Sequence, residues 1–186
     1  MFREHGWDVV SLDRDMPADI ECDILEWDHT TYHPRHFDFI WASPPCTEYS
    51  IAKTTGPRKI AEANRVVRRT LEVIEYLDPQ HYVIENPQTG HLKRQSFMAG
   101  IPYADVDYCR YGMPYRKRTR LWNDIPWAPR PLCQRDCGAM LGGRHAQTAQ
   151  QGSQSSTEAY GSFRRFLRTQ LYGVPRALIL EILAAL

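Results

Sequence analysis

The chain has 186 residues, 42% of them apolar and 24% charged, with 23 Lys and Arg against 22 Asp and Glu. This is the length of one ordinary domain with a globular balance, which excludes wholesale disorder, and no run approaches the roughly 20 apolar residues of a membrane span. Five cysteines at irregular spacing, and no apolar signal core at the N-terminus, argue against a disulfide scaffold and for a cytoplasmic protein with reduced thiols.

The near-neutral total hides an asymmetry. Residues 1–109 hold 11 Lys and Arg against 18 Asp and Glu, whereas residues 110–186 hold 12 against 4. A basic end of this kind suits a polyanion, or is simply a solvated surface.

In chain order, residues 2–6 read as the tail of a helix closed by Gly6, and residues 8–12 as a strand ending at Asp13. A short strand is predicted at residues 20–24. A buried strand, Phe37-Asp38-Phe39-Ile40-Trp41-Ala42, runs into Ser43-Pro44-Pro45-Cys46. Apolar residues at spacings of three and four, from Ile60 to Leu77, predict a helix over residues 57–77, stopped by Asp78-Pro79. A strand at residues 81–84 runs into a turn, Glu85-Asn86-Pro87, and further strands are predicted at residues 104–108 and 119–122. From about Pro126 the pattern dissolves into Gly, Gln, Ser, Arg and Pro, with Gln147, Gln150, Gln151 and Gln154 close together. A short helix closes the chain over residues 175–186, with Leu178, Ile179, Ile182, Leu183 and Leu186 on its apolar face. Strands alternating with helices predict an α/β sheet, mostly parallel, whose functional residues collect at the carboxyl ends of strands.

Three constellations stand at such ends. Two prolines after a buried strand stiffen the backbone and present Cys46 at the sheet edge at low entropic cost, as a fixed nucleophile requires. The alternative is a small buried hydrophobe. Glu85 repeats the design: a carboxylate beside a buried strand end is partly desolvated, which suits it to donating or sharing a proton. Arg118 and Arg120, two apart in an extended segment, point to one face. With Arg110 and Arg116 they form a basic strip without acids, suited to phosphate and base carbonyls. Separately, Cys133-x3-Cys137 with His145, and Cys109 as a fourth, have the ligand types of a zinc site at loose spacing, with plain loop thiols as the other reading.

A Pro-Pro-Cys turn, a Glu-Asn-Pro turn and an Arg-x-Arg strand, in that order on an α/β chain, resemble the DNA cytosine-5 methyltransferase family over about residues 7–122. The resemblance implies a Rossmann-like methyltransferase sheet and S-adenosylmethionine as methyl donor. It also implies transfer of a methyl group to carbon 5 of a cytosine flipped out of DNA. It assigns Cys46 as the nucleophile and Glu85 as the carboxylate that holds N3 and the exocyclic amine. Arg118 and Arg120 become the pair that binds and orients the base and the nucleophile loop. Ser43, Pro45, Asn86 and Pro87 would line the base, and Pro44 the cofactor. Asp13 resembles the acid that accepts from the ribose hydroxyls, and Asp23 the one that takes the adenine amino group.

The chain is then expected to divide into a catalytic core at 1–122, an irregular target-recognition segment at 123–165, and a closing segment at 166–186 that packs back on the core. It departs from the family in lacking the Phe-x-Gly-x-Gly turn that wraps the methionine end of the cofactor, and the C-terminal Gly-Asn-Ser-Val signature. The sheet is therefore expected to be N-terminally truncated, with the first strand supplied by upstream residues or by a second chain. An amino-group methyltransferase would place an aromatic residue where Cys46 follows the two prolines. A nucleic-acid-binding remnant without cofactor remains the rival from another class.

Overall fold

The computed structural model describes residues 1–147, 149 and 171–186 and is a mixed α/β protein. The later part of the segment at 123–165, with Gln150, Gln151 and Gln154, lies outside the described residues, as does the start of the closing segment up to residue 170. The chain forms two compact units. One comprises Met1–Asn86, Gly90–Pro102 and Trp122–Asp124; the other comprises Pro87–Thr89, Tyr103–Leu121 and Ile125–Leu186. None of the described helices is long and apolar enough to cross a membrane.

In the first unit, Arg3–His5 form a 3-10 turn closed by Gly6 at φ 83, a left-handed position that glycine adopts without strain. The strand predicted at 8–12, ending at Asp13, contracts to β1, Leu12–Asp13, paired in parallel with β2, Ile20–Glu21. The reason is local. Asp19 accepts from the backbone N–H and hydroxyl of Ser11 and draws the chain into a loop, so the ladder begins only at Leu12.

β3, Phe39–Ala42, pairs in parallel with β4, His81–Pro87, in the register Phe39 with His81 through Ala42 with Ile84. All four residues of β3 are half-buried rather than buried as expected. Ile40 and Ala42 face the core, but the rings of Phe39 and Trp41 meet those of Phe2 and Trp7, which cover that face only in part. Among the described residues, β1–β2 and β3–β4 belong to separate sheets. A second correction concerns Glu85-Asn86-Pro87, which is not a turn. The three residues continue β4, and Pro87 sits at its last position, where a missing N–H is tolerated.

Helix α1, Ile60–Leu77, connects β3 to β4. It starts three residues later than predicted. Glu48 accepts from the N–H of Lys59 at 2.7 Å, and Arg58 donates to the carbonyls of Glu48, Ser50 and Lys53, which holds the preceding loop out of the helix. At the far end Asp78 adopts φ 44 and donates its N–H to Ile74, and Pro79 stops the helix. The core of this unit joins Val67 and Ile74 of α1, Ile84 of β4, Tyr49, Leu92, Met98 and Trp122.

In the second unit, β5, Tyr103–Asp107, lies beside β6, Arg118–Asn123, whose last two residues enter the first unit. A 3-10 turn, Tyr108–Tyr111, follows β5 and ends at Gly112. β7, Met140–Leu141, and β8, Arg144–His145, form an antiparallel hairpin. Its turn residues, Gly142 and Gly143, have φ of 55 and 78, the left-handed pair that a tight two-residue turn needs. Helix α2, Arg176–Leu183, follows Pro175 and buries Leu178, Ile179 and Ile182. Leu186, assigned to the apolar face, is 39% exposed because the helix ends at Leu183.

α1 anchors the first core, so Ile74→Ala is expected to destabilise the chain by about 2–5 kcal/mol, against no more than about 0.5 kcal/mol for the exposed Arg65→Ala. Urea midpoints of the two variants check this. Equal midpoints would mean that α1 does not pack as described.

Candidate active site

In the first unit the site is built on the parallel register of β3 and β4. Ala42 stands opposite Ile84, so Ser43, the first residue past β3, and Glu85 on β4 come next at one carboxyl edge. Beyond it the Asn86 side-chain amide donates to the Pro44 carbonyl at 2.9 Å, a buried bond that ties the Pro-Pro-Cys segment to β4. The Asn86 Oδ1 is also buried and accepts no hydrogen bond among the described residues. The segment is held on both sides. Ser43 accepts from the Trp41 indole N–H at 3.0 Å, and the Cys46 carbonyl accepts from the N–H of Tyr49 at 3.1 Å.

Tyr49 is fully buried, and its hydroxyl donates to Asn64 of α1 at 2.7 Å. Pro44 is buried, Ser43 and Pro45 are exposed, and Cys46 is half-buried. Glu85 is 7% exposed and Asn86 is 1% exposed. A half-buried thiol on a braced loop and a buried carboxylate on the adjacent strand are thus fixed at one sheet edge. This arrangement suits nucleophilic addition assisted by proton sharing.

Asp13 and Asp23 lie at and just beyond the carboxyl ends of the parallel strands β1 and β2. Asp13 is exposed, and its Oδ1 accepts from the N–H groups of Asp15 and Met16 at 2.8 and 2.9 Å. Asp23 is half-buried. It accepts from the N–H of Leu25 at 2.9 Å and pairs with Arg14 at 3.3 Å.

The second unit corrects the picture of an acid-free basic strip. Arg118 grips Asp107 with two bonds, of 3.0 and 2.7 Å, and Arg120 grips Asp105 with two, of 2.7 and 2.9 Å. The residue numbers run in opposite directions along the two strands, as in an antiparallel pair. The Arg120 guanidinium also lies 3.5 Å from the centre of the Tyr103 ring. Arg110 pairs with Asp136, and Arg116 stays exposed. Pro87 ends β4, and the next residue, Gln88, donates its N–H to the Arg118 carbonyl at 3.0 Å.

Asp107 is completely buried. Burial pushes its carboxyl up. The two Arg118 bonds, the N–H of Cys133 and the nearby positive charges outweigh that and hold it below the usual carboxylate range. Sequence reading missed Asp105 and Asp107. The available signal was their spacing of two, which matches the spacing of Arg118 and Arg120.

The structure also gathers Cys109, Cys133, Cys137 and His145, whose sulfur and nitrogen atoms all lie within 4.8 Å of one another. The Nε2 of His145 is 3.5 Å from the Cys133 sulfur and 3.3 Å from that of Cys137. Burial and the neighbouring thiols push the Cys109 thiol well up. Burial also pushes the Cys133 thiol up, but N–H groups of the backbone and the other two thiols bring it below its ordinary value. Burial, with the charge of Arg116, lowers the His145 imidazole.

No protein-family model matches the chain. A "Probable DNA (cytosine-5)-methyltransferase" of Frog virus 3 (isolate Goorha) is 34% identical to it over 198 residues, covering 97% of this chain and 90% of the relative.

The depressed Asp107 carboxyl sets a pH dependence. Its contribution to stability is fully present above the unfolded carboxylate value of about 3.9 and is lost as pH falls through the lower folded value. Asp107→Asn is expected to cost roughly 2–3 kcal/mol at neutral pH, less than a fully buried pair because Arg118 keeps some contact with water. It should also flatten the decline in stability below about pH 4. Denaturant unfolding of both proteins between neutral and acid pH reads out both effects. An acid limb unchanged in the variant would remove Asp107 as its source.

Proposed function

The chain belongs to the DNA (cytosine-5)-methyltransferase family, and on that premise we propose that it methylates carbon 5 of cytosine in DNA through a covalent adduct on Cys46. The observation that carries the reading is the bond from Asn86 to the Pro44 carbonyl. With the β3–β4 register, it sets the Cys46 loop and Glu85 on one sheet edge.

Carbon 5 of cytosine is a poor nucleophile. In this reading the Cys46 thiolate adds to carbon 6, and the ring's double-bond electrons move to make carbon 5 nucleophilic. Glu85, buried on the neighbouring strand, holds a proton at N3 and offsets the charge that develops there. Methyl transfer is followed by loss of the carbon 5 proton to a base and by departure of the Cys46 sulfur, which restores the double bond. Asn86 is assigned here as a positioning residue, because its amide holds the nucleophile's loop. Ser43, Pro45 and Pro87 are assigned to the base, and Arg118 and Arg120 to its recognition. The guanidinium planes of the two arginines are pre-set by Asp107 and Asp105.

S-adenosylmethionine supplies an electrophilic methyl sulfonium. The residues present fit its nucleoside half, because carboxylates at the ends of adjacent parallel strands suit hydroxyl and amino donors. Asp13 is assigned to the ribose hydroxyls and Asp23 to the adenine amino group, with Pro44 against the cofactor.

A duplex containing 5-fluorocytosine should trap the wild type with cofactor as a covalent protein–DNA adduct, since fluorine does not leave as a proton does. Cys46→Ser should form none. An adduct that persists in Cys46→Ser, or maps to Cys133, overturns the assignment, whereas DNA binding with neither adduct nor labelled 5-methylcytosine favours a binding remnant. Glu85→Gln keeps the side chain's shape and removes its charge, and should lower the single-turnover rate by about two to four orders of magnitude with DNA affinity unchanged. A rate within a factor of about two of wild type would make Glu85 a structural residue.

A further inference from the structure

We propose that Cys109, Cys133, Cys137 and His145 form a closed, structural Cys3His zinc site in the second unit. The four ligand atoms come from three separate places in the chain. Cys109 lies in the 3-10 turn after β5, Cys133 and Cys137 in the strandless stretch ahead of the hairpin, and His145 on β8, which the two-glycine turn returns toward them. They nevertheless meet within 4.8 Å. A ligand nitrogen and a sulfur bound at about 2.0 and 2.3 Å to one tetrahedral centre stand roughly 3.5 Å apart. The two distances from His145 Nε2, 3.3 and 3.5 Å, are close to that edge length.

Hydrogen bonding alone accounts poorly for this arrangement. A neutral Nε2 has one lone pair and accepts one S–H, yet two sulfurs converge on it. A disulfide between any two of the cysteines would leave the third thiol and the imidazole without a role. A metal ion engages all four. Three thiolates and one imidazole, with no carboxylate among them, select zinc among the common divalent ions, and four protein ligands leave no open position for chemistry.

The surroundings fit anionic sulfur. The backbone N–H groups of Arg135 and Asp136 favour the charged form of the Cys133 sulfur, and Arg135 lies between Cys133 and Cys137 at a left-handed φ of 69. Three thiolates and one Zn2+ carry a net charge of −1, and the charges of Arg110 and Arg118 act on the cluster. Each thiol releases its proton to solvent as its sulfur–zinc bond forms, and no electron is transferred. The site would fasten the stretch after β6 to β5, because Cys133 also donates its N–H to the buried Asp107 at 2.9 Å.

The test is metal analysis of the full chain expressed with added zinc and desalted. The expected result is one zinc per chain. Cobalt replacement should give thiolate charge-transfer and intense tetrahedral ligand-field bands, and a strong chelator should lower the melting temperature, with recovery on adding zinc. His145→Ala should weaken zinc affinity by at least about 10–100-fold, the loss that even outer contacts of a metal site produce. Cys22→Ala, outside the cluster, should keep the metal.

Should the cluster variants fail to fold, alkylation of the wild type decides. Zinc should protect Cys109, Cys133 and Cys137 but not Cys22. Clearly substoichiometric zinc with no cobalt–thiolate band, or equal alkylation of the three cysteines with and without zinc, overturns the proposal. Metal content is read without DNA or methyl donor, so neither result bears on the Cys46 assignment.

Discussion

The register of β3 against β4 is the constraint from which the first unit's chemistry follows. Successive side chains of a strand alternate faces, so a slip of one residue would reverse the side of the sheet on which Glu85 stands. It would also part Asn86 from the Pro44 carbonyl. The register is fixed by packing. Ile40, Ala42 and Ile84 face the core shared with Val67 and Ile74 of α1, and none of them has a polar edge that could tolerate the opposite face. The two prolines then restrict the path of the chain out of β3, and Tyr49 pins the far side of the loop through its bond to Asn64. Cys46 is placed by its neighbours on both sides.

The second unit rests on a pair of aspartates. Asp105 and Asp107 on β5 and Arg120 and Arg118 on β6 form two bidentate ion pairs in succession. Each guanidinium is thereby held in one plane, with its entropy largely removed before a ligand arrives. The same pairing changes the meaning of the basic end. Arg110 is paired with Asp136 and Arg130 with Glu181, so several of its cations serve the fold. Attraction for a polyanion then falls to exposed residues such as Arg116, Arg135 and Arg144.

Much of this was legible in the residues. Periodicity located α1 to within three residues of its start, and apolar runs located β3 to β6 to within a few residues, because each element carries its own pattern. The stretch around Glu85 was misread because Asn and Pro are turn formers locally. Here a neighbouring strand and a buried side-chain bond keep them extended, and neither is visible in a window of a few residues. The β1 strand is overestimated from sequence for the converse reason: Val9 and Val10 favour an extended chain, yet the bonds from Ser11 to Asp19 delay the ladder to Leu12. The ligand types of Cys109, Cys133, Cys137 and His145 are legible in the sequence but their meeting is not, since Cys109 belongs to a different element from the rest. Only the folded chain shows that the tight Gly142-Gly143 turn brings His145 back.

Asp107 joins two of these features. Its Oδ1 accepts from Arg118 Nε, and its Oδ2 accepts from both Arg118 Nη2 and the N–H of Cys133. One buried carboxylate thus serves a guanidinium on a strand and the backbone beside a thiol in the stretch beyond it. A buried carboxylate that loses any of these donors is left with a desolvated lone pair, at a cost of about 1–3 kcal/mol or more. The stretch carrying Cys133 therefore cannot lift away without removing one donor from Asp107, and Arg118 cannot turn outward without removing two. One buried carboxylate thereby ties an irregular segment and a strand arginine to the same point of the fold.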